Sequence, residues 1–331
     1  VMTALLALNP ALAEDEKKIP ASLGELKTLV AETIEEHNVP AVGIAMLDRN
    51  GEIWVGSLGK ADKQNQVDAT PHTLYRIGST SKMFVALSVL KLVEQGRLSL
   101  DDRVADHAPE IEFENPWEET DPVRVVHLLE HTTGWDDIPL PEYSHNDPTP
   151  STLKEGLDFH PHSRTSRWKP GSRSSYCNSG PPVAAYIVQK LTGMDFEDYV
   201  QFNFFDPLGM QTATYRLNEA VQENGATLYS NGKKQDYWHI LMRPSGSINA
   251  SPRDMARFVQ FFLDRGRLED WALVSEASLA RMERAETTSG ARAGLEVGYG
   301  LHKDSSRHEQ WIYREHNVGV NGGLTELAYL P

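Results

Sequence analysis

The first clear pattern of apolar and polar positions predicts two strands near the N-terminus. In "PAVGIAMLDRNGEIWVGSLG", apolar and β-branched side chains are frequent over residues 41–48 and 52–58, and Asn50-Gly51 lies between the two runs. An Asn-Gly pair in this position favours a tight hairpin turn. We therefore expect an antiparallel sheet to begin the fold.

Helical patterns follow this hairpin. Residues 80–95, "TSKMFVALSVLKLVEQ", are apolar on nearly every face, which is typical of a helix buried between layers. Further helices are predicted at 180–192 and 252–264. A short helix is predicted from Asp121-Pro122 through His131, because Pro suits the first turn of a helix.

The rest of the chain is less regular. Between residues 136 and 172, Pro, His, Ser and Asp dominate without periodicity, which predicts a long irregular segment of the kind that often borders a site. The tail segments "EVGYGLHKD", "EQWIYREHNV" and "LTELAYLP" are predicted as strands that return the chain to a sheet.

Composition and charge narrow the function classes. The 331 residues are 40% apolar, enough for one large core or two cooperating subdomains. A net charge of -15 without any run of Lys or Arg disfavours nucleic acid and anionic membrane surfaces as partners. The lone Cys177 excludes an internal disulfide. No integral membrane segment is expected.

The N-terminus carries a predicted export signal. In "VMTALLALNPALAEDEKK", a short apolar run ends in Ala11-x-Ala13 and is followed by charged residues. This pattern is typical of the end of a secretory signal peptide, so residues 1–13 are predicted to be its remnant. The protein is then expected to be secreted or periplasmic.

One Ser-x-x-Lys motif stands out from the six in the chain. Ser79 follows Gly78 at the mouth of the predicted buried helix, where free backbone N–H groups favour a developing negative charge. Lys82 lies one turn further on, so its amine can reach the serine oxygen. Burial lowers the pKa of a lysine and suits it to act as a base. The alternative is a serine helix cap beside a snorkelling lysine.

Around this motif the chain resembles the serine β-lactamase-like superfamily: class C β-lactamases, penicillin-binding D-alanyl carboxypeptidases and β-lactamase-like esterases. The resemblance covers residues from about 25 to the end. It rests on the blocks "IGSTSKMFVALSVLKLVEQGRLSLDDRV", "VRVVHLLEHTTGW", "WKPGSRSSYCNSGPPVAAYIVQKLTG", "DPLGMQTATY" and "SGSINASPRDMARFVQFFLDRG". Members of this superfamily acylate the serine of the Ser-x-x-Lys motif and need no cofactor.

The resemblance implies a role for each matching residue. Ser79 is similar to the acylated serine and Lys82 to its partner lysine. Tyr176-Cys177-Asn178 looks like the Tyr-x-Asn motif, which implies that Tyr176 shares proton transfer and that Asn178 holds the acyl side chain of the substrate. A second match, Tyr229-Ser230-Asn231, lacks the preceding Pro-Gly and the following apolar helix, and we interpret it as a decoy.

The third motif departs from the pattern of the superfamily. Where Lys-Thr-Gly or His-x-Gly is expected, the chain has His316-Asn317-Val318-Gly319. His316 is the counterpart of the first residue, but Val318 replaces the glycine. Val318 is expected either to narrow the slot beside the serine or to leave the position to Gly319 through a local bulge. Gly319 is assigned the second N–H that holds the oxyanion. Because a neutral imidazole attracts carboxylate less than lysine does, His316 favours an esterase or amidase over an efficient β-lactamase.

"HLLEH" at residues 127–131 also reads as the inverted zinc-peptidase signature. His127 and His131 are four residues apart, and on one helix they would share a face. No third ligand stands out downstream, and the family block "VHLLEHTTGW" accounts for the same letters. A zinc peptidase is therefore kept only as a remote alternative, and no metal is assigned.

These observations predict an α/β (α+β) fold, an antiparallel sheet flanked by helices with an inserted, mostly helical subdomain. The sheet subdomain is assigned to residues 21–75 and 236–331 and the helical one to 76–235. Because the superfamily continues beyond the strand that ends at Tyr329-Leu330-Pro331, the C-terminus is expected to be truncated.

The predicted function is a serine hydrolase that cleaves esters or small amides. The alternatives are a class C-type β-lactamase, a D-alanyl carboxypeptidase or D-aminopeptidase, and a non-catalytic binding homologue. The oligomeric state is left open.

Overall fold

A computed structural model describes residues 19–139, 143 and 147–331 of the chain. The predicted signal-peptide remnant at 1–13 lies outside these residues. Contacts divide the chain into two units, residues 1–39 and residues 40–331. The first unit contains helix α1, Leu23–Glu36, which begins where the Ser22 side chain accepts a hydrogen bond from Glu25 N.

The second unit contains the remaining described helices and strands. The helices are α2 Lys82–Glu94, α3 Val104–His107, α4 Val125–Leu129, α5 Leu153–Phe159, α6 Gly180–Thr192, α7 Phe196–Val200, α8 Asp206–Leu208, α9 Glu219–Asn224, α10 Pro252–Leu263, α11 Glu276–Met282 and α12 Ser289–Arg292. The strands are β1 Ala41–Asp48, β2 Gly51–Asp62, β3 Val67–Asp68, β4 Tyr75–Arg76, β5 Tyr229–Ser230, β6 Lys233–Lys234, β7 Asn249–Ala250, β8 Arg267–Leu268, β9 Trp271–Ala272, β10 Asp304–His308, β11 Trp311–Val320 and β12 Gly323–Tyr329.

Two three-stranded antiparallel sheets frame this unit. In the first, of order β1-β2-β3, the predicted hairpin is present, and the Asp48 carboxylate accepts from Asn50 N to close its turn. In the second, of order β10-β11-β12, Val318 pairs with Thr325 and Gly319 with Leu324. Helix α10 packs against β1, β2 and β12, so it contacts both sheets.

The predicted strand over residues 296–304 is wrong. Gly298 N and O bond to Ser305, and Gly300 N bonds to Lys303 O, so this segment turns back on itself before β10 begins at Asp304. His302 at the turn has a left-handed backbone, with φ of 52°. The glycines permit the turn, whereas alternation of apolar residues alone suggested a strand.

Helix α2 forms the centre of the core, as its apolar sequence predicted. Except for Lys91, every residue from Lys82 to Leu92 is buried. Phe84 stacks on Phe258 of α10, with ring centroids 4.3 Å apart, and meets Phe205 edge-on at 5.0 Å. These contacts hold the N-terminus of α2, and therefore the predicted nucleophile, in a fixed place.

The segment 136–172 is less irregular than predicted. Helix α5 begins with a capping box, because the Thr152 side chain accepts from Glu155 N while the Glu155 carboxylate accepts from Thr152 N. A 3-10 turn, Pro161–Ser163, follows. In the described part of the chain, no helix has the length and apolar character needed to cross a membrane.

Candidate active site

The predicted nucleophile Ser79 lies in a 3-10 turn, Gly78–Ser81, directly before α2. Lys82 is the first residue of the helix and is completely buried. Its Nζ lies 2.7 Å from Ser79 Oγ and donates to the carbonyl oxygen of Ser245 at 2.5 Å. A serine within hydrogen-bond reach of a buried amine is the arrangement that a nucleophile and its base require.

Burial controls the charge of Lys82. Removal from water lowers the pKa of Lys82 from 10.5 to about 7, although the negative charge of Asp137 and an interaction with Cys177 act in the opposite direction. A substantial fraction of this amine is therefore neutral near pH 7, and only the neutral amine can take a proton from the serine.

Tyr176 lies beside this pair. The Lys82 Nζ is 5.0 Å from the centroid of the Tyr176 ring, and this ring stacks on His131 at 4.2 Å. Burial raises the pKa of the Tyr176 hydroxyl, while an interaction with the Ser79 side chain partly offsets the effect. Cys177 points into the core, where burial raises its thiol pKa to about 11, and its N–H donates to His131 Nδ1.

Asn178 is held by a residue that the sequence analysis missed. Its Nδ2 donates to Asp137 Oδ2 at 3.0 Å and its backbone N to Asp137 Oδ1 at 2.7 Å. The carbonyl oxygen of Asn178 accepts from Ser245 Oγ at 2.7 Å. Asp137 lies in the segment predicted to border a site, but nothing in the sequence distinguished it from the adjacent Asp136.

His316 is almost completely buried, and its imidazole lies close enough to Lys82 to be affected by its charge. The Tyr299 hydroxyl and His316 Nδ1 form a hydrogen bond of 3.0 Å, a partner that the sequence did not indicate. Burial lowers the pKa of His316 to about 3, and the nearby Lys82 and Lys303 act in the same direction. The imidazole is therefore neutral at physiological pH.

Val318 packs against the turn that carries Ser79. A Cβ placed on Gly78 would lie 2.8 Å from Val318 Cγ1 and 2.6 Å from Val320 Cγ1, so these side chains fill the space that glycine leaves. Gly319 pairs with Leu324 of β12. Because side chains alternate along β11, a Cβ on Gly319 would point to the face opposite Val318, 3.5 Å from Leu324 Cδ2. Its role in holding an oxyanion stays a prediction.

Gly78→Ala tests this packing. We expect the free energy of unfolding to fall by about 3 kcal/mol, because a left-handed backbone costs about 1 kcal/mol and overlap with the two valines about 2 kcal/mol more. Gly96→Ala is the matched control, because Gly96 also has positive φ (67°) but no atom within 4 Å of its added Cβ. Equal losses for the two variants in urea unfolding would contradict the packing argument.

The HLLEH segment does not form the helix face that a zinc site needs. Helix α4 begins at Val125, not Asp121, because Asp121 N closes a turn on Trp117 O, and extended Arg124 caps the helix. The helix ends at Leu129, and His131 beyond it has a left-handed backbone, with φ of 54°. The predicted helix from 121 to 131 is therefore wrong at both ends.

The surroundings of His127 also disfavour a cation. Its pKa falls to about 4 through burial and the positive charges of Arg124 and Arg292. These three side chains line one polar cavity of about 470 Å³. Among the described residues, no group of three His, Cys, Asp or Glu side chains is arranged to hold a metal ion.

The second Tyr-x-Asn match lies elsewhere. Tyr229 is in strand β5 of a two-stranded hairpin with β6, and its hydroxyl accepts from Lys63 N in the turn after β2. Ser79, Lys82 and Tyr176, in contrast, are joined to one another by the contacts described above, and His316 contacts Tyr299 beside them.

Comparison with known proteins gives consistent matches. The family model described as Beta-lactamase matches residues 26–325. Protein flp of Staphylococcus aureus (strain MW2) is 24% identical over 254 residues, which cover 72% of this chain and 49% of that protein, so the chain spans about half the length of this relative. Penicillin-binding protein 4 of Amycolatopsis lactamdurans is 27% identical over 260 residues, 76% of this chain and 66% of that protein.

Solved structures share the fold. The octameric penicillin-binding protein homologue from Pyrococcus abyssi has a TM-score of 0.78 at 24% identity, covering 94% of this chain and 71% of its own. The beta-lactamase/D-alanine carboxypeptidase from Pseudomonas syringae has a TM-score of 0.75 at 18% identity, covering 92% and 89%. These similarities confirm the predicted fold class and the predicted resemblance.

Proposed function

The chain belongs to the beta-lactamase family, and from this premise we propose that it is a serine hydrolase that forms an acyl-enzyme on Ser79. The observation that carries the proposal is the 2.7 Å separation between Ser79 Oγ and the Nζ of the completely buried Lys82. A buried amine with a pKa of about 7 is suited to accept the proton of a serine hydroxyl.

The proposed reaction has two halves. Neutral Lys82 takes the hydroxyl proton of Ser79, and Oγ attacks the substrate carbonyl to form a tetrahedral oxyanion held by backbone N–H groups, those of Ser79 and Gly319. Lys82 gives this proton to Tyr176, and Tyr176 passes its own proton to the leaving group as the carbon–leaving-group bond breaks. Water then attacks the ester carbonyl and gives up a proton to Lys82 and Tyr176, which return a proton to Ser79 Oγ as the Oγ–carbon bond breaks and the carboxylic acid departs.

We propose esters or small amides as the substrates. The buried, neutral imidazole of His316 supports this choice, since it supplies no permanent cation for the carboxylate of a penicillin or a peptide C-terminus. The alternative is hydrolysis of penicillins or peptidoglycan peptides, which the names of the relatives favour. The predicted remnant at 1–13 supports a secreted or periplasmic location.

Intact-protein mass spectrometry tests the proposal. The protein is exposed briefly and in parallel to a penicillin, a short-chain activated ester and a fluorophosphonate. We expect a fluorophosphonate adduct of one equivalent and turnover of the ester, because acyl-enzymes of small esters are open to water. Rapid turnover of the penicillin would replace the esterase assignment with the β-lactamase one, and no adduct from any reagent on folded protein would favour a binding-only homologue.

A further inference from the structure

A carboxylate lies at the mouth of the candidate site. Asp137 is exposed, and its Oδ1 accepts from Asn178 N at 2.7 Å and from Ile138 N at 2.9 Å, while Oδ2 accepts from Asn178 Nδ2 at 3.0 Å. Within residues 19–139, 143 and 147–331, no Lys, Arg or His side chain forms an ion pair with it. Amide groups therefore fix this negative charge in place without neutralising it.

The groups around Asp137 do not supply a permanent cation. Its charge acts on Lys82, Tyr176, Cys177 and Tyr143, and only the first of these can be positive. The amine of Lys82 is already engaged by Ser79 and Ser245. The guanidinium of Arg167 is paired with the neighbouring Asp136, at 3.3 Å.

The imidazoles nearby are neutral as well. Burial lowers the pKa of His131 and His302 well below 6.5, and that of His316 to about 3. Among the described residues, Asp137 therefore places a carboxylate without an ion-pair partner at the mouth of the site. A fixed charge attracts ligands of the opposite sign.

The hydrogen-bonding groups of Asp137 and Asn178 also favour a cationic ligand. Both Asn178 donors described above point to Asp137, and Asn178 Oδ1 accepts no hydrogen bond from the described residues. The carboxylate and this amide oxygen together present acceptors to a ligand. A protonated primary amine has three donors and no acceptor, so it complements such a pair.

Resting on the proposed hydrolase function, we propose that Asp137 and Asn178 form a subsite for a protonated amine on the acyl group of the substrate. The substrate class is then aminoacyl esters or amides with a free amine, in which the ammonium contacts Asp137 while the carbonyl is attacked by Ser79. Asp137 is a specificity-determining residue in this arrangement.

Two isosteric esters test the subsite. The 4-nitrophenyl ester of 3-aminopropanoic acid carries an ammonium where 4-nitrophenyl butanoate carries a methyl group. We expect kcat/KM for the amino ester to exceed that for butanoate by about tenfold after correction for spontaneous hydrolysis, since hydrogen bonds to charged groups are worth about this factor. Asp137→Asn is expected to remove this preference, measured as the ratio of the two kcat/KM values, because its effects on Asn178 and on Lys82 act on both esters alike.

Asp136→Asn is the matched control, because it changes the same charge one residue away and is expected to keep the preference. Rates are compared from pH 6 to 9, since loss of Asp137 also alters the charge near Lys82. Butanoate turnover without a preference, or a preference that survives Asp137→Asn, would overturn the subsite alone. Failure of both esters, with no fluorophosphonate adduct, would overturn the hydrolase proposal and the subsite together.

Discussion

Ser79→Ala is expected to lower kcat/KM for every substrate by on the order of 10⁶-fold, the scale seen when a serine nucleophile is removed. The loss is large because Ser79 Oγ is the atom that would form the covalent bond, and it is the hydroxyl that contacts Lys82 Nζ at 2.7 Å. The fold should persist, since Lys82 keeps its hydrogen bond to Ser245 O. Steady-state kinetics, adduct mass and thermal unfolding measure these effects.

Ser230→Ala is the matched control for this variant. Ser230 begins another Ser-x-x-Lys sequence, ending at Lys233, but lies in the small β5–β6 hairpin. We expect its kinetics and its fluorophosphonate adduct to match those of the unaltered protein. An adduct that survives Ser79→Ala, or one that disappears in Ser230→Ala, would show that the nucleophile is misassigned.

Lys82→Met is expected to lower kcat/KM by about 10³-fold, because a positioned general base contributes this order of magnitude. The free energy of unfolding of Lys82→Met, unlike its kcat/KM, should not fall. Lys82 is completely buried and its nearest partners are Ser79 and the carbonyl of Ser245, so a methionine of similar length removes the cost of desolvating an amine. Urea unfolding at pH 7 should therefore show equal or greater stability.

Both kcat/KM and the contribution of Lys82 to the free energy of unfolding are expected to rise with pH. In the unaltered protein, kcat/KM should rise as pH passes about 7, where Lys82 loses its proton and becomes a base. Because the folded pKa of about 7 lies below the ordinary value of 10.5, the unfolded chain binds more protons between these two values. The contribution of Lys82 to stability is thus fully present above 10.5, falls as pH decreases toward 7, and is constant below it.

Lys91→Met is the control on the same helix. Lys91 lies outside the site, with its Nζ 5.6 Å from the centroid of the Phe204 ring, so kcat/KM should stay within about twofold. If Lys82→Met retained activity, or if its stability showed the same slope between pH 7 and 10.5 as the unaltered protein, Lys82 would not be the titrating base.

The features of this protein that could be predicted from the sequence are set by residues close together in the chain. The hairpin over residues 41–62, the buried helix α2 and the pairing of Ser79 with Lys82 all follow from spacing within one element. Periodicity and a three-residue step on a helix are local properties, so the polar pattern is sufficient to find them. The helix predicted at 121–131 was misplaced for the same reason: the local pattern did not show that Asp121 closes a turn with Trp117.

Only the tertiary structure decided what each candidate residue contacts. Asp137 and Asn178 are separated by 41 residues, Lys82 and Ser245 by 163, and their contacts arise when loops from distant segments meet at the mouth of α2. The protonation states of Lys82 and His316 also depend on the tertiary structure. Burial lowers the pKa of Lys82 and of His316, and burial is a property of the packed fold rather than of residue order. The sequence thus determined that Ser79 and Lys82 lie together, and packing decided the protonation of Lys82 and the neighbours of both residues.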